Sequence, residues 1–156
     1  MSVVRSIMKR RLTVAEPDES VLDAVTRMSE SRLGALLIVE NGRLQGIFTE
    51  RDLLKRVVVP GKDPATTLLS EVSTPDPTAA SEDTSIEACT ALIRDHGIRH
   101  LPVVDDEGRA IGIISSRDLL RFVVEGLESY IDRFSTERRH EEMTDPYESM
   151  IDKFDE

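Results

Sequence analysis

Apolar residues along the chain fall into short groups of two kinds, and the two kinds alternate. Leu36-Leu37-Ile38-Val39 and Leu101-Pro102-Val103-Val104 are continuous apolar runs, the mark of strands covered on both faces. Val21, Ala24, Val25 and Met28 recur instead at helical spacing behind Ser20, a residue type that caps helix starts. Glu40-Asn41-Gly42-Arg43 offers Asn-Gly, whose tolerance of positive φ suits a tight hairpin turn. Residues 46–48 then read as the returning strand, and Thr49 begins a helix expected to run through Val57. A strand over residues 12–15, ended by Glu16-Pro17-Asp18, completes a unit of strand, helix, strand, strand, helix.

Shifted by 65 positions, the chain falls onto itself. Ser20-Val21 meets Ser85-Ile86, Met28 meets Ile93, Leu33 meets Ile98, and the first apolar run meets the second. One extra residue in Asp105-Asp106-Glu107-Gly108 makes the shift 66 thereafter, so GIFTERDLL (46–54) meets GIISSRDLL (112–120). Such self-similarity means two copies of one supersecondary unit, neither able to bury its apolar face alone. The second copy's elements are expected at 78–80, 85–95, 101–104 and 111–114, with a helix from Ser115. The expected fold is α/β: two pseudo-symmetric β-α-β-β-α repeats packed as one sandwich, plus a C-terminal helical extension. The expected boundaries are 3–59 for the first repeat, 60–67 for a linker containing Pro60-Gly61-Lys62-Asp63-Pro64, 68–124 for the second repeat and 125–156 for a helical tail.

Past Leu120 the helical spacing continues through Val123, Leu127, Tyr130, Ile131 and Phe134, one apolar stripe. A second short helix is expected beyond it. Asp145 can cap it, Pro146 fits its first turn, Glu148 completes a capping box, and Tyr147, Met150, Ile151 and Phe154 supply its apolar face. The tail is expected either to fold onto its own module or to pack on a second subunit or an effector protein.

Composition narrows the partners. No apolar run approaches the roughly 18 residues of a membrane span, and the first residues lack the apolar core of a secretory signal. A lone cysteine, Cys89, has no internal disulfide partner and suits a reducing compartment, so a cytoplasmic location is expected. Cys89 occupies the small-residue position matched by Ala24, where a buried, inert thiol fits. The net charge of −10 is uneven: residues 1–120 carry 15 basic and 19 acidic side chains, residues 121–156 carry 5 and 11. An acidic chain of this kind is a poor phosphate-backbone reader, so no nucleic-acid partner is expected. The basic knot Lys9-Arg10-Arg11 is either a solvated loop or a local anion contact.

Catalytic machinery is not expected. His96 and His100 stand four apart, but Gly97 and the following strand break any shared helical face, and His140 lies in the polar tail. No metal site is therefore expected, nor is there a Walker-type phosphate loop. What repeats is a hydroxyl followed three residues later by a carboxylate: Thr49 and Asp52, then Ser115 and Asp118. Either pair can be a capping box. The same corner, an apolar strand running into a helix N-terminus, also presents free N–H groups and a positive dipole end. There a hydroxyl can bind a sugar or phosphate oxygen, and an aspartate can accept from vicinal hydroxyls such as those of ribose.

The chain resembles a tandem pair of cystathionine β-synthase (CBS) domains, the arrangement called a Bateman module. The resemblance rests on Ile7-Met8, Thr13-Val14, Ser20-Val21 with Ala24, and the run from His96 to Asp105. Gly108, Gly112-Ile113-Ile114-Ser115 and Arg117-Asp118-Leu119-Leu120 extend it, so that it covers about residues 3–124. It implies a regulatory module, commonly a homodimer, that binds adenine nucleotides between its repeats. AMP, ADP or ATP is the expected ligand, with NAD or S-adenosylmethionine as further adenosyl ligands, and an effector protein reads the occupancy. By position, the resemblance assigns one cleft to Thr49 and Asp52 with Thr78, Ile98 and Arg99. It assigns the other to Ser115 and Asp118 with Met8, Thr13, Leu33 and Gly34. Arg99 and His100 stand where the first copy has Gly34 and Ala35, which biases phosphate affinity toward Arg99, whose planar fork suits phosphate. The other expectation for Arg99 is an ion pair with Asp95 or Asp105. A ligand-free dimerisation or scaffold pair is the alternative reading of the whole.

Overall fold

The structure, a computed structural model, describes residues 2–142, with side chains described to residue 136. The short helix expected after Asp145 lies outside the described residues.

The first repeat is built from β1 (Val14–Ala15), α1 (Val21–Glu30), β2 (Ala35–Glu40), β3 (Arg43–Thr49) and α2 (Glu50–Asp52), which runs on as π-helical turns over Leu53–Val58. The hydroxyl of Ser20 accepts the Asp23 amide at 3.1 Å and starts α1, whose apolar stripe buries Val21, Ala24 and Met28. The hairpin between β2 and β3 turns on Asn41 at φ 50° and Gly42 at φ 78°, the pair of left-handed residues a type I′ turn needs. The second repeat copies this order as β5 (Ala80–Ser81), α4 (Ile86–Asp95), β6 (His100–Val104), β7 (Ala110–Ser115) and the start of α5 (Ser116–Glu142). Ser85 caps α4 through the Ala88 amide, again at 3.1 Å. Both middle strands shift register at equivalent points, Ile38/Val39 and Val103/Val104. The fold class is therefore the one the repeat implies. The first strands are shorter than the 12–15 and 78–80 expected from the sequence, and the widening of α2 to π turns at Leu53 carries no sequence signature.

One feature of the topology escapes the repeat pattern. The segment α3 (Leu69–Val72) and β4 (Thr74–Pro75), which leads into the second repeat, joins the first repeat's sheet, giving the order β1-β2-β3-β4 with β4 antiparallel to β3. Leu69 and Val72 are fully buried in the first core, beside Phe48, Val57 and Met28. The N-terminal segment makes the reciprocal move. A 3-10 turn at Val4–Ser6 places Val4 in the second core with Cys89, Leu101 and Ile114, and Lys9 pairs with Ile113 of β7 through bonds of 2.9 and 3.0 Å. The shift of 65 carries Val4 onto Leu69 and Lys9 onto Thr74, so each repeat lends its opening segment to the other. Two glycines allow the loan. A Cβ on Gly46 would lie 2.9 Å from the Thr74 carbonyl oxygen, and one on Gly112 would lie 2.6 Å from the Met8 sulfur.

A third apolar cluster joins the sheets: Ala35, Leu37 and Ile47 pack with Leu12, Val39, Leu44, Ala110 and Ile113. Each fully buried Leu or Ile there is worth about 1.5–3 kcal/mol relative to exposure. The hairpin tips also meet, with the Leu44 amide donating to Gly108 O at 3.0 Å and Arg43 donating to Glu107 O at 2.9 and 2.6 Å. Residues up to Leu119 make one compact unit and those from Leu120 a second. In the second, α5 continues to Glu142, and the rings of Tyr130 and Phe134 lie 4.8 Å apart. No helix among the described residues is long and apolar enough to cross a membrane.

Candidate functional site

Both strand–helix corners form the boxes that the hydroxyl-x-x-Asp spacing predicts. Asp52 Oδ2 accepts the Thr49 amide at 3.0 Å and the Thr49 hydroxyl at 3.1 Å, and the Asp52 amide donates back to Thr49 Oγ1 at 3.3 Å. The second corner repeats this with Asp118 Oδ2, 2.8 Å from the Ser115 amide and 2.6 Å from its hydroxyl, and with the Asp118 amide donating to Ser115 Oγ at 3.2 Å. In each box one carboxylate oxygen is spent on the cap while the other reaches the lent segment. Asp52 Oδ1 takes the Thr74 hydroxyl at 3.4 Å and Arg56 at 3.5 Å, whereas Asp118 Oδ1 takes Lys9 Nζ at 3.2 Å. Burial of Asp118 by itself favours the neutral acid. The bonds from Ser115 and Lys9 outweigh it and hold the carboxyl below its usual range.

Capping does not close the corners. Around Ser115 and Asp118 lies a cleft of about 930 Å³, and around Thr49 and Asp52 one of about 340 Å³. Both fall in the size range of small-molecule pockets. The smaller cleft gathers Thr49, Asp52, Thr78, Ile98, Arg99 and His100. The larger gathers Thr13, Leu33, Gly34, Ser115 and Asp118. Met8 is the exception among the residues assigned to it. It is buried in the second core with its sulfur against Gly112, and Lys9, one residue on, stands on the cleft wall. The alternating pleat of a paired segment accounts for this, since neighbouring side chains point to opposite faces.

The clefts share a wall made of Gly34, Glu50, Arg99 and His100. His100 is half-buried, and burial holds its imidazole below the ordinary histidine value despite the opposing pull of Glu50 and Asp118. Its ring fits because residue 34 is glycine: a Cβ there would lie 3.3 Å from His100 Cε1. Arg99 is exposed, and both acids expected as its partners are engaged elsewhere, Asp95 with Arg94 at 2.8 Å and Asp105 with Arg109 at 3.0 Å. Among the described residues Arg99 makes no ion pair.

Charge separates the two clefts. The larger carries Lys9, Arg11, Arg32, Arg99 and Arg117 against Glu50 and Asp118. The smaller carries Arg51 and Arg99 against Glu50, Asp52 and Asp76. Arg99 thus stands on both clefts, and the larger adds four further cations to it. Lys9 and Arg11 were visible as part of a basic knot and Arg117 as part of the repeated Arg-Asp-Leu-Leu motif, while Arg32 carries no pattern that singles it out. Among the described residues no three His, Cys, Asp or Glu side chains are grouped as a metal site. Cys89 is fully buried, and burial raises its thiol pKa, so little thiolate is present at neutral pH.

Comparison with known proteins agrees with this architecture. The CBS domain family model matches residues 4–59 and again 69–125. An uncharacterized protein of Methanopyrus kandleri is 32% identical over 138 residues, covering 86% of this chain and 70% of that protein. A CBS domain pair solved in complex with 5′-methylthioadenosine and S-adenosyl-L-methionine superposes with a TM-score of 0.72 at 27% identity, over 78% of this chain and 99% of that one. CBSX2 solved in complex with AMP gives a TM-score of 0.69 at 26% identity, over 79% and 96%. With the repeat, the reciprocal loan of segments and two family matches in one chain, the protein belongs to the CBS domain family as a tandem CBS pair.

Proposed function

We propose that this chain is a regulatory, non-catalytic module that binds adenine nucleotides or related adenosyl ligands in the clefts between its CBS repeats and passes occupancy to a partner protein. The observation that carries this reading is the pair of open clefts, each built by both repeats around a hydroxyl-x-x-Asp corner. The relatives solved with AMP and with 5′-methylthioadenosine and S-adenosyl-L-methionine support the ligand class. Charge then divides the ligands. Five cationic side chains around the larger cleft suit a polyphosphate such as ATP or ADP, while the acid-rich smaller cleft suits AMP or an uncharged or cationic adenosyl ligand. A ligand that sits between repeats regulates only if it binds one arrangement of them better than another.

A second reading, a ligand-free scaffold or dimerisation pair, is favoured by one observation: Thr49 and Ser115 already spend their hydroxyls on their own aspartates. Thermal shift with AMP, ADP, ATP, NAD and S-adenosylmethionine separates the two. A ligand present at about a hundred times its dissociation constant adds roughly 2.7 kcal/mol of stability. Asp52→Ala and Asp118→Ala each remove the carboxylate arm of a capping box and so cost some stability by themselves, so the readout is the ligand-induced increment within each variant. Loss of that increment for one ligand class per variant is expected. If no ligand moves the wild-type melting temperature while both variants melt lower, the scaffold reading stands.

A further inference from the structure

The two strand–helix corners share a geometry and differ in one charge. In each, the corner aspartate gives Oδ2 to its own box, accepting the amide and hydroxyl of Thr49 in one and of Ser115 in the other. Its Oδ1 meets the segment lent by the other repeat, and the residue it meets stands at the same place in the repeat: Lys9 Nζ at 3.2 Å from Asp118, Thr74 Oγ1 at 3.4 Å from Asp52. One is a cation, the other a neutral hydroxyl. Asp52 has its positive partner in Arg56 at 3.5 Å, which also donates to Ser73 O at 2.8 Å and does not line the smaller cleft. Lys9 does line the larger one, and of the five cations there it alone is ion-paired among the described residues. The backbone of Lys9 is tied to Ile113 by bonds of 2.9 and 3.0 Å, while its side chain is half exposed. The ammonium can therefore swing on its four-carbon stem with the segment still in place.

We propose that Lys9 is a specificity-determining residue of the larger cleft, making it select adenosine-type ligands that carry a phosphate over those that do not. The inference rests on the proposed binding of adenosyl ligands at these corners. A ligand whose vicinal hydroxyls donate to Asp118 approaches Oδ1, because Oδ2 is held by the box, and so contends with Lys9 for that oxygen. With a neutral ligand the ammonium has no other anion to join. If it stays, the hydroxyls are held weakly, and if it leaves, the buried carboxylate of Asp118 loses its cation. A phosphate removes the conflict: the ammonium passes from one negative group to another, and the hydroxyls take Oδ1. Sugar and phosphate recognition are thereby linked through one side chain. Arg11, Arg32, Arg99 and Arg117 attract any anion to the cleft, but none is ion-paired with Asp118 and none creates this linkage. The smaller cleft lacks it too, since Thr74 is neutral and Arg56 holds Asp52 from outside the lining.

Titration calorimetry of the full chain with adenosine and with AMP at low ionic strength tests it. The readout is the ratio of the two affinities within each variant, which a merely structural role for Lys9 would not move. In an Asp52→Ala background, which leaves the larger cleft to bind, AMP is preferred, and Lys9→Thr lowers that preference about tenfold, the loss of one charge-assisted bond. Lys9→Arg keeps most of it. In an Asp118→Ala background, Thr74→Lys raises the AMP preference of the smaller cleft by a similar factor. Without either background, Lys9→Thr alone changes the preference in one binding component and spares the other. A larger cleft with no preference for AMP, an unchanged ratio in Lys9→Thr, or no gain in Thr74→Lys overturns this proposal and leaves adenosyl binding standing. A wild type that binds neither ligand overturns both.

Discussion

Gly46→Ala is the sharpest test of the reciprocal loan of segments. The added methyl would lie 2.9 Å from the Thr74 carbonyl oxygen, 3.4 Å from Ser73 Oγ and 3.5 Å from Ile38 Cβ. The nearest atom is backbone, so relief requires β4 to move as a whole. Overpacking of this kind costs about 1–3 kcal/mol, and the entropic advantage of alanine over glycine returns roughly 0.4–1 kcal/mol. A net loss of about 1–2 kcal/mol is expected, a fall in melting temperature of roughly 2–8 °C for a domain of this size. Gly112→Ala is the control in the other repeat. Its methyl would meet the Met8 sulfur at 2.6 Å, but the next atoms, Met8 Cγ and Lys9 O, lie at 3.2 and 3.4 Å. A thioether with three rotatable bonds yields more cheaply than a backbone, so this variant is expected to lose less than Gly46→Ala. Urea denaturation gives the two costs, and amide exchange at Asp76, whose N–H donates to Gln45 O at 3.0 Å, reports whether β4 has lifted. The reasoning fails if Gly46→Ala matches the wild type with Asp76 still protected, or if Ser73→Ala rescues it.

Three further outcomes follow from the clefts. His100 has its folded pKa depressed by burial, so the unfolded chain takes up the proton first. Stability is then full above the ordinary value of about 6.5 and falls as pH drops below it, and His100→Gln removes that fall in melts compared at pH 8 and pH 5.5. Asp118 has its folded pKa lowered, so its contribution is present above about pH 4 and is lost as pH falls further. Acid denaturation of Asp118→Asn should therefore show a flatter limb below that pH than the wild type. Arg32 lines only the larger cleft and Arg99 lines both. By calorimetry, Arg32→Ala should weaken only the ligand of the larger cleft, and Arg99→Ala should weaken phosphorylated ligands in both, each by tenfold or more if a charge-assisted bond worth about 1.5–3 kcal/mol is lost.

Local chemistry made the elements legible. Asn41-Gly42 announced its hairpin because few residue pairs accept two positive φ angles in succession, and Ser20 announced its helix because the cap is a one-residue event. The loan of Val4 and Leu69 between cores was hidden for the opposite reason. A period of 65 says which segments are equivalent and nothing about which sheet each one joins. Gly46 and Gly112 held the available clue, since a glycine kept at the same strand position in both copies signals close backbone approach. At the site, the corner pairs Thr49/Asp52 and Ser115/Asp118 were readable because their spacing is fixed by the helix, and the resemblance brought Thr78, Ile98 and Arg99 to the first of them. Arg32 and Glu50 were not readable. They are exposed polar side chains whose position in a cleft depends on how the two sheets meet, which no local pattern records. Met8 was misplaced on the cleft wall because the pleat direction of its short segment was unknown.

The lent segments make the two repeats inseparable in a way that covalent continuity does not. Severed within residues 60–67, the chain would yield an N-terminal fragment bearing a strip that fits only its sibling, and a C-terminal fragment in the same predicament. Each would leave a furrow open where Val4 or Leu69 should lie, so neither could hold its shape alone, yet together they should knit back without the tether. Lys9 and Thr74, which hold that seam, also stand on the walls of the two clefts, so a molecule of the kind proposed above would touch both halves at once.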